Sequence, residues 1–180
     1  KNILHDEGNL RDFLLFTCWI NFWLRISDLL SLKISDLFDS DWDINDFFEI
    51  REKKTGKWNK IWIWEKVKTA LKEYIKMYPF LLEDCENYVF FAKKTYPLGS
   101  KAIGRNQSYK LIQKWTSEVW LKWRYWTHSF RKTLWFTALR NNIPVEFISQ
   151  RFSHADSKVT SRYLWITKEE TMEAFLKLDV

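Results

Sequence analysis

Residues 10–32 read LRDFLLFTCWINFWLRISDLLSL, and this stretch decides what kind of fold the chain builds. Leu10, Phe13, Leu14, Cys18 and Phe22 recur at a spacing of three to four, which puts them on one helical face. Residues 10–24 are therefore expected to form a buried helix. Residues 27–32 continue as a second, short helix for which Ser27 is a suitable N-cap. Between the two sits Arg25. A guanidinium between Phe22-Trp23-Leu24 and Leu29-Leu30 is costly to desolvate unless it is paired. Asp28, three positions on, can hold it from the same helical face. An ordinary local ion pair accounts for the partner, but not for the charge being there at all.

Downstream, residues 44–52 and 58–63 read as two short extended segments around Lys53-Lys54-Thr55-Gly56-Lys57. This is a β-hairpin with a basic tip and its turn at Gly56. Residues 65–77 carry Val67, Ala70, Leu71, Tyr74 and Ile75 on one helical stripe, and Pro79 follows. Residues 88–92 are expected as a short strand and 93–101 as a polar connection. The second half reads as helices over 106–119, 128–139, 145–152 and 168–178, with 157–163 a short helix or turn. Thr127 serves as a cap, Asn141-Asn142 as a stop and Pro144 as a helix start. The fold class that results is mainly α with a small antiparallel β-sheet. One domain over residues 1–180 is expected, long enough to bury a core.

The 180 residues hold 29 Lys and Arg against 23 Asp and Glu, a net charge of +6. Hydrophobic content of 46% and charged content of 29% are those of a globular protein and exclude a disordered chain. The longest uncharged run, residues 13–24, is too short to span a bilayer. No basic-then-apolar leader is seen, and no membrane partner is expected. Cys18 and Cys85 stand apart without metal-ligand spacing, which fits a reducing compartment. Basic residues gather at 53–60, 93–105, 110–114 and 122–140, where they suit the phosphates of a nucleic acid. Asp39, Asp41 and Asp43 alternate as in a calcium loop. Ile44 stands where such a loop needs glycine, however, and Ile50 where it needs glutamate, so a solvated turn is expected.

Several residues carry chemistry. His128 and Arg131 in His128-Ser129-Phe130-Arg131 share a helical face and can both donate to a phosphate. His154 follows Ser153, and Tyr163 comes nine residues later. Taken singly, each has an ordinary surface or packing explanation. Together, Arg25 in Trp23-Leu24-Arg25-Ile26-Ser27-Asp28, Lys54 in Lys54-Thr55-Gly56, His128 with Arg131, Ser153-His154 and Tyr163 resemble the tyrosine recombinases, the phage integrase family, in order and spacing. The resemblance covers essentially the whole chain.

The resemblance implies the family's catalytic domain and site-specific DNA recombination or integration, with no cofactor and no metal. Tyr163 would be the nucleophile, forming a 3′-phosphotyrosyl bond and freeing a 5′-hydroxyl. Arg25 and Arg131 would neutralise the phosphate oxygens. Lys54 would be the general acid, with Lys53 and Lys57 as rivals on the same turn. His128 and His154 would donate hydrogen bonds and assist acid–base steps, while Asp28 orients. It also implies double-stranded DNA as partner, a homotetramer on two duplexes, and a cytoplasmic, nucleoid-associated location. The family's N-terminal core-binding domain is not among these residues. A catalytically silent DNA-binding module of this fold, or a type IB topoisomerase activity, would use the same residues.

One feature departs from the family pattern. The chain has 12 Trp and only 4 Gly, where average usage predicts roughly 13 Gly. Trp19, Trp23, Trp42, Trp120, Trp126, Trp135 and Trp165 fall where relatives usually have glycine. The expectation is that many of these are glycines in the living protein, through a UGA codon read as tryptophan in one genetic code and glycine in another. Trp62 and Trp64 fit less well, because tryptophan is a good strand residue.

Overall fold

In the computed structural model the described residues are 9–118, 137–144 and 146–148. The chain divides into two compact units, Lys1–Arg131 and Lys132–Val180. The first unit is built from helix α1 (Leu10–Phe22), short helices α2 (Ile26–Leu29) and α3 (Ile34–Leu37), a hairpin of β1 (Phe47–Arg51) and β2 (Trp58–Trp62), helix α4 (Glu65–Met77), a 3-10 turn (Pro79–Glu83) and helix α5 (Arg105–Glu118). This is the mainly helical fold with a two-stranded antiparallel sheet that the periodicity calls for.

α1 packs chiefly on α4. Leu14, Leu15, Cys18 and Phe22 from α1 meet Val67, Ala70, Leu71 and Tyr74 from α4 in the core, joined by Leu111, Ile112 and Trp115 from α5. The Trp115 ring stands edge-on to Phe16, with centroids 5.5 Å apart. The Tyr74 hydroxyl is buried, which raises its pKa, and donates to the Val89 carbonyl at 2.6 Å. The core thus reaches the connection after α4. Burial likewise pushes the Cys18 thiol far up, leaving it an inert apolar side chain.

The hairpin register pairs Phe47 with Trp62 and Arg51 with Trp58. Phe48 and Ile61 face the core, while Trp58 and Trp62 face outward. Phe48 packs edge-on against Phe22 at 5.1 Å, which fixes the hairpin to the end of α1. Gly56 closes the turn with φ +68°, and its N–H donates to the Glu52 carbonyl at 2.8 Å. The aspartates after α3 form the expected turn: Asp39 Oδ1 accepts the N–H groups of Asp41 at 3.0 Å and Asp43 at 2.9 Å.

Three local expectations differ. Residues 88–92 make only isolated bridges, Lys33 with Tyr88 and Phe91 with Ala102, because no neighbouring segment runs beside them for longer. α2 is capped by Arg25, not Ser27, whose hydroxyl makes no capping bond to the backbone. α3 and the 3-10 turn are too short to show a periodicity. In the second unit, residues 137–140 and 146–148 are helical, and Asn142 ends the first of these with φ 58°.

Two tryptophans stand out in the backbone. Trp23 caps the C-terminus of α1 at φ 59°, ψ 18°, and Trp42 sits in the aspartate turn at φ 63°. Both are left-handed, the conformation that favours glycine at helix ends and turns. Trp19 is different, being buried within regular helix. Trp120, Trp126, Trp135 and Trp165 lie outside the described residues.

Candidate active site

Arg25 follows α1 and has extended geometry, φ −64° and ψ 146°. Its carbonyl accepts the N–H groups of Asp28 and Leu29, both at 2.9 Å, so its backbone starts α2. That ψ also removes it from the helical face of Asp28, and the expected Arg25–Asp28 pair does not form. Arg25 Nη1 pairs instead with Glu52, 27 residues away on the hairpin. The Arg25 side chain keeps 15% exposure, against 2% for Glu52. Its Nε and Nη2 carry no bond among the described residues and remain available as a fork of donors.

Glu52 is the residue the sequence reading missed. Its Oε2 accepts from Arg25 and from the Thr55 hydroxyl at 2.8 Å, and its Oε1 accepts from Asn59 Nδ2 at 2.8 Å. A signal for it existed in the strand alternation. Phe48 and Ile50 point toward the core side of β1, and Glu52 continues that parity.

Asp28 is fully buried and serves the hairpin. Its Oδ1 accepts the Lys53 N–H at 3.2 Å and the Ser27 hydroxyl at 3.5 Å, while Oδ2 has no partner among the described residues. The two buried carboxylates therefore act on one turn: Asp28 holds its entry and Glu52 its middle and exit.

The turn presents three exposed lysines. Lys53 turns back, with Nζ 3.4 Å from the Ser27 carbonyl. Lys54 is at the tip. Lys57 stands opposite Glu52, whose N–H donates to its carbonyl at 2.9 Å. Beside the turn, an open hollow of about 380 Å³ is lined by Ser27, Ser31, Lys53, Lys101 and Arg105. Leu30, Ala102 and Ile103 also line the walls, so hydroxyls and cations suited to phosphates alternate there with apolar groups.

His128, Arg131, His154 and Tyr163 lie outside the described residues. Among the described residues no cluster of His, Cys, Asp and Glu could hold a metal ion, and no helix is long and apolar enough to cross a membrane.

Residues 2–170 match the model of the phage integrase family. The chain is 31% identical over 168 residues to a probable integrase/recombinase, YoeC, of Bacillus subtilis (strain 168), covering 93% of this chain and 84% of that protein. It is 26% identical over 174 residues to a tyrosine recombinase of Pseudothermotoga lettingae, spanning 94% of this chain and only 54% of that one. Among solved structures, the XerA recombinase superposes with a TM-score of 0.72 at 20% identity, over 97% of this chain and 60% of that one. The XerH site-specific recombinase bound to its palindromic difH substrate, a post-cleavage complex, gives 0.67 at 17%, over 92% and 45%.

Proposed function

This chain belongs to the phage integrase family, and from that premise we propose that it is a site-specific tyrosine recombinase that cuts and rejoins duplex DNA through a 3′-phosphotyrosyl intermediate. The observation that carries the reading is Arg25. It is a guanidinium fixed from below by a buried carboxylate, with a fork of donors left over, beside a lysine-bearing turn.

In the proposed step the Tyr163 oxygen bonds to the scissile phosphorus, and the bond from phosphorus to the 5′-oxygen breaks. Arg25 and Arg131 stabilise the charge on the non-bridging oxygens. Lys54 gives its proton to the departing 5′-oxygen. His128 and His154 donate hydrogen bonds and assist proton movement. Asp28 orients the turn through the Lys53 N–H. Attack by a 5′-hydroxyl of the partner strand reverses the step and releases Tyr163. Each step exchanges one phosphodiester bond for another, so no external energy source is required. The basic hollow beside α2 receives flanking phosphates, and a homotetramer would bring two duplexes together. The reading puts the chain on nucleoid DNA in the cytoplasm.

The test is covalent trapping on a nicked duplex library of randomised sequence. Wild type is expected to form a protein–DNA adduct and Tyr163→Phe none, while both bind DNA alike. Binding without any adduct from wild type would make the chain a DNA-binding module. Relaxation of supercoiled plasmid with no site requirement would make it topoisomerase-like. Lys54→Ala should slow cleavage by about 10²–10⁴, the size of a general-acid contribution. A 5′-bridging sulfur should restore the rate, because a thiolate leaves without a proton. If sulfur rescues Lys57→Ala and not Lys54→Ala, the acid is Lys57.

A further inference from the structure

We propose that Glu52 is a positioning residue for strand cleavage, locking the Arg25 guanidinium and the lysine-bearing turn into one unit. This rests on the reading of Arg25 as a phosphate-gripping residue.

Three groups converge on one carboxylate: Arg25, 27 residues away before α2, Thr55 in the turn and Asn59 on β2. The backbone of Glu52 also closes the hairpin, donating to Lys57 and accepting from Gly56. A shift of the turn therefore moves the guanidinium, and the reverse.

Stability alone is a poor reason for this arrangement. A buried ion pair recovers little more than its desolvation cost, and an apolar pair of similar volume often does as well. What the carboxylate does supply is direction. It takes Nη1 and leaves Nε and Nη2 as a fork on a side chain that keeps 15% exposure. Bidentate donation to a phosphate needs a fixed plane, and small misplacements at a reacting centre cost large factors in rate. The carboxylate also cancels part of the positive charge that attracts DNA. Removing it should leave binding intact or tighter while slowing the chemical step, a split that general loss of structure does not produce.

The experiment measures adduct formation in single turnover, and DNA binding separately, using the full chain and the duplex recovered by trapping. Glu52→Gln is expected to form adduct at least ten-fold more slowly, with the dissociation constant unchanged or two- to three-fold lower. In an Arg25→Lys background the same change should add no further slowing, because the geometry it protects is already lost. Wild-type rate in Glu52→Gln overturns the proposal and leaves the recombinase reading standing. Multiplicative slowing in the double variant also overturns it, since Glu52 would then act apart from Arg25. Undiminished adduct formation by Arg25→Lys removes the premise itself. If Glu52→Gln fails to fold by circular dichroism, Thr55→Ala takes its place. Removing one donor from Oε2 should slow cleavage several-fold at unchanged melting temperature, and an unchanged rate would overturn the proposal.

Discussion

The loop after α1 and the turn of the hairpin solve the same geometric problem with different residues. Each delivers a candidate catalytic cation two positions from a left-handed backbone: Trp23 at φ 59° precedes Arg25, and Gly56 at φ 68° follows Lys54. Glycine meets that geometry without strain. For a residue with a Cβ it costs roughly 1–2 kcal/mol. The same contrast recurs elsewhere, with Gly99 at φ 94° and Trp42 at φ 63°. The backbone asks for glycine at all four positions, and at two of them the chain supplies the bulkiest side chain available. Those two are among the seven tryptophans that fall on the family's glycine positions. That coincidence is what a glycine codon read as tryptophan would produce, and the coding DNA tests it.

The largest expected effect lies at Gly99. A Cβ there would come within 2.3 Å of Asn87 Oδ1, and Asn87 is itself anchored to the Leu81 carbonyl at 3.2 Å. Adding the left-handed cost to that of overpacking, Gly99→Ala should lose about 3 kcal/mol. The melting temperature should then fall by roughly 9 °C. Gly56→Trp would make the hairpin resemble the Trp23 loop. Its Cβ meets nothing closer than Arg51 Nη2 at 3.8 Å, so backbone strain alone should cost about 1–2 kcal/mol, read by denaturant titration. A loss under a few tenths would break the comparison. In the opposite direction, Trp42→Gly removes a side chain already 40% exposed and should gain about 1 kcal/mol, or 2–4 °C. Trp23→Gly should gain less, because the half-buried indole also gives up apolar burial. Sequencing the coding DNA sharpens the point without a protein: UGA is expected at Trp23 and Trp42, and UGG at both would end the glycine reading.

The smallest effect separates the two regions by acid. The hairpin is tied to α4 by Lys68 Nζ, which donates to Asp46 Oδ1 at 2.5 Å. That bond lowers the Asp46 pKa. A lowered carboxylate pKa contributes stability above the ordinary carboxylate range, and that contribution is lost as pH falls through the lowered value. Both groups are solvent-screened, so the effect is small. Lys68→Ala should flatten the acid limb of the stability profile slightly, and an unchanged limb would show that the tether carries nothing.

How much was legible in the sequence depended on range. α1 and α4 follow from apolar spacing to within two residues, because a helical face is a local property. The hairpin follows from alternation around Gly56. The partner of Arg25 does not. Asp28 is three residues away and looks sufficient, but that holds only if Arg25 has helical ψ. Its extended ψ hands the guanidinium to Glu52, and only the hairpin register brings that residue near. The bridges around residues 88–92 escape notice for the same reason, since their partners, Lys33 and Ala102, are remote in sequence. The left-handed tryptophans were the reverse case. Their residue type argued against the turn, while their place after a helix and among aspartates argued for it, and the backbone followed place.

The outer face of the hairpin has an optical consequence. Trp58 and Trp62 are 68% and 53% exposed on β2, next to the turn proposed to approach DNA. Water-facing indoles emit at long wavelength and are open to collisional quenchers. Iodide should therefore dim a red-shifted component first, and a duplex seated on the turn should shield it. Neither residue is among the seven tryptophans on the family's glycine positions, so this component is expected under either reading of the gene and reports on the hairpin alone.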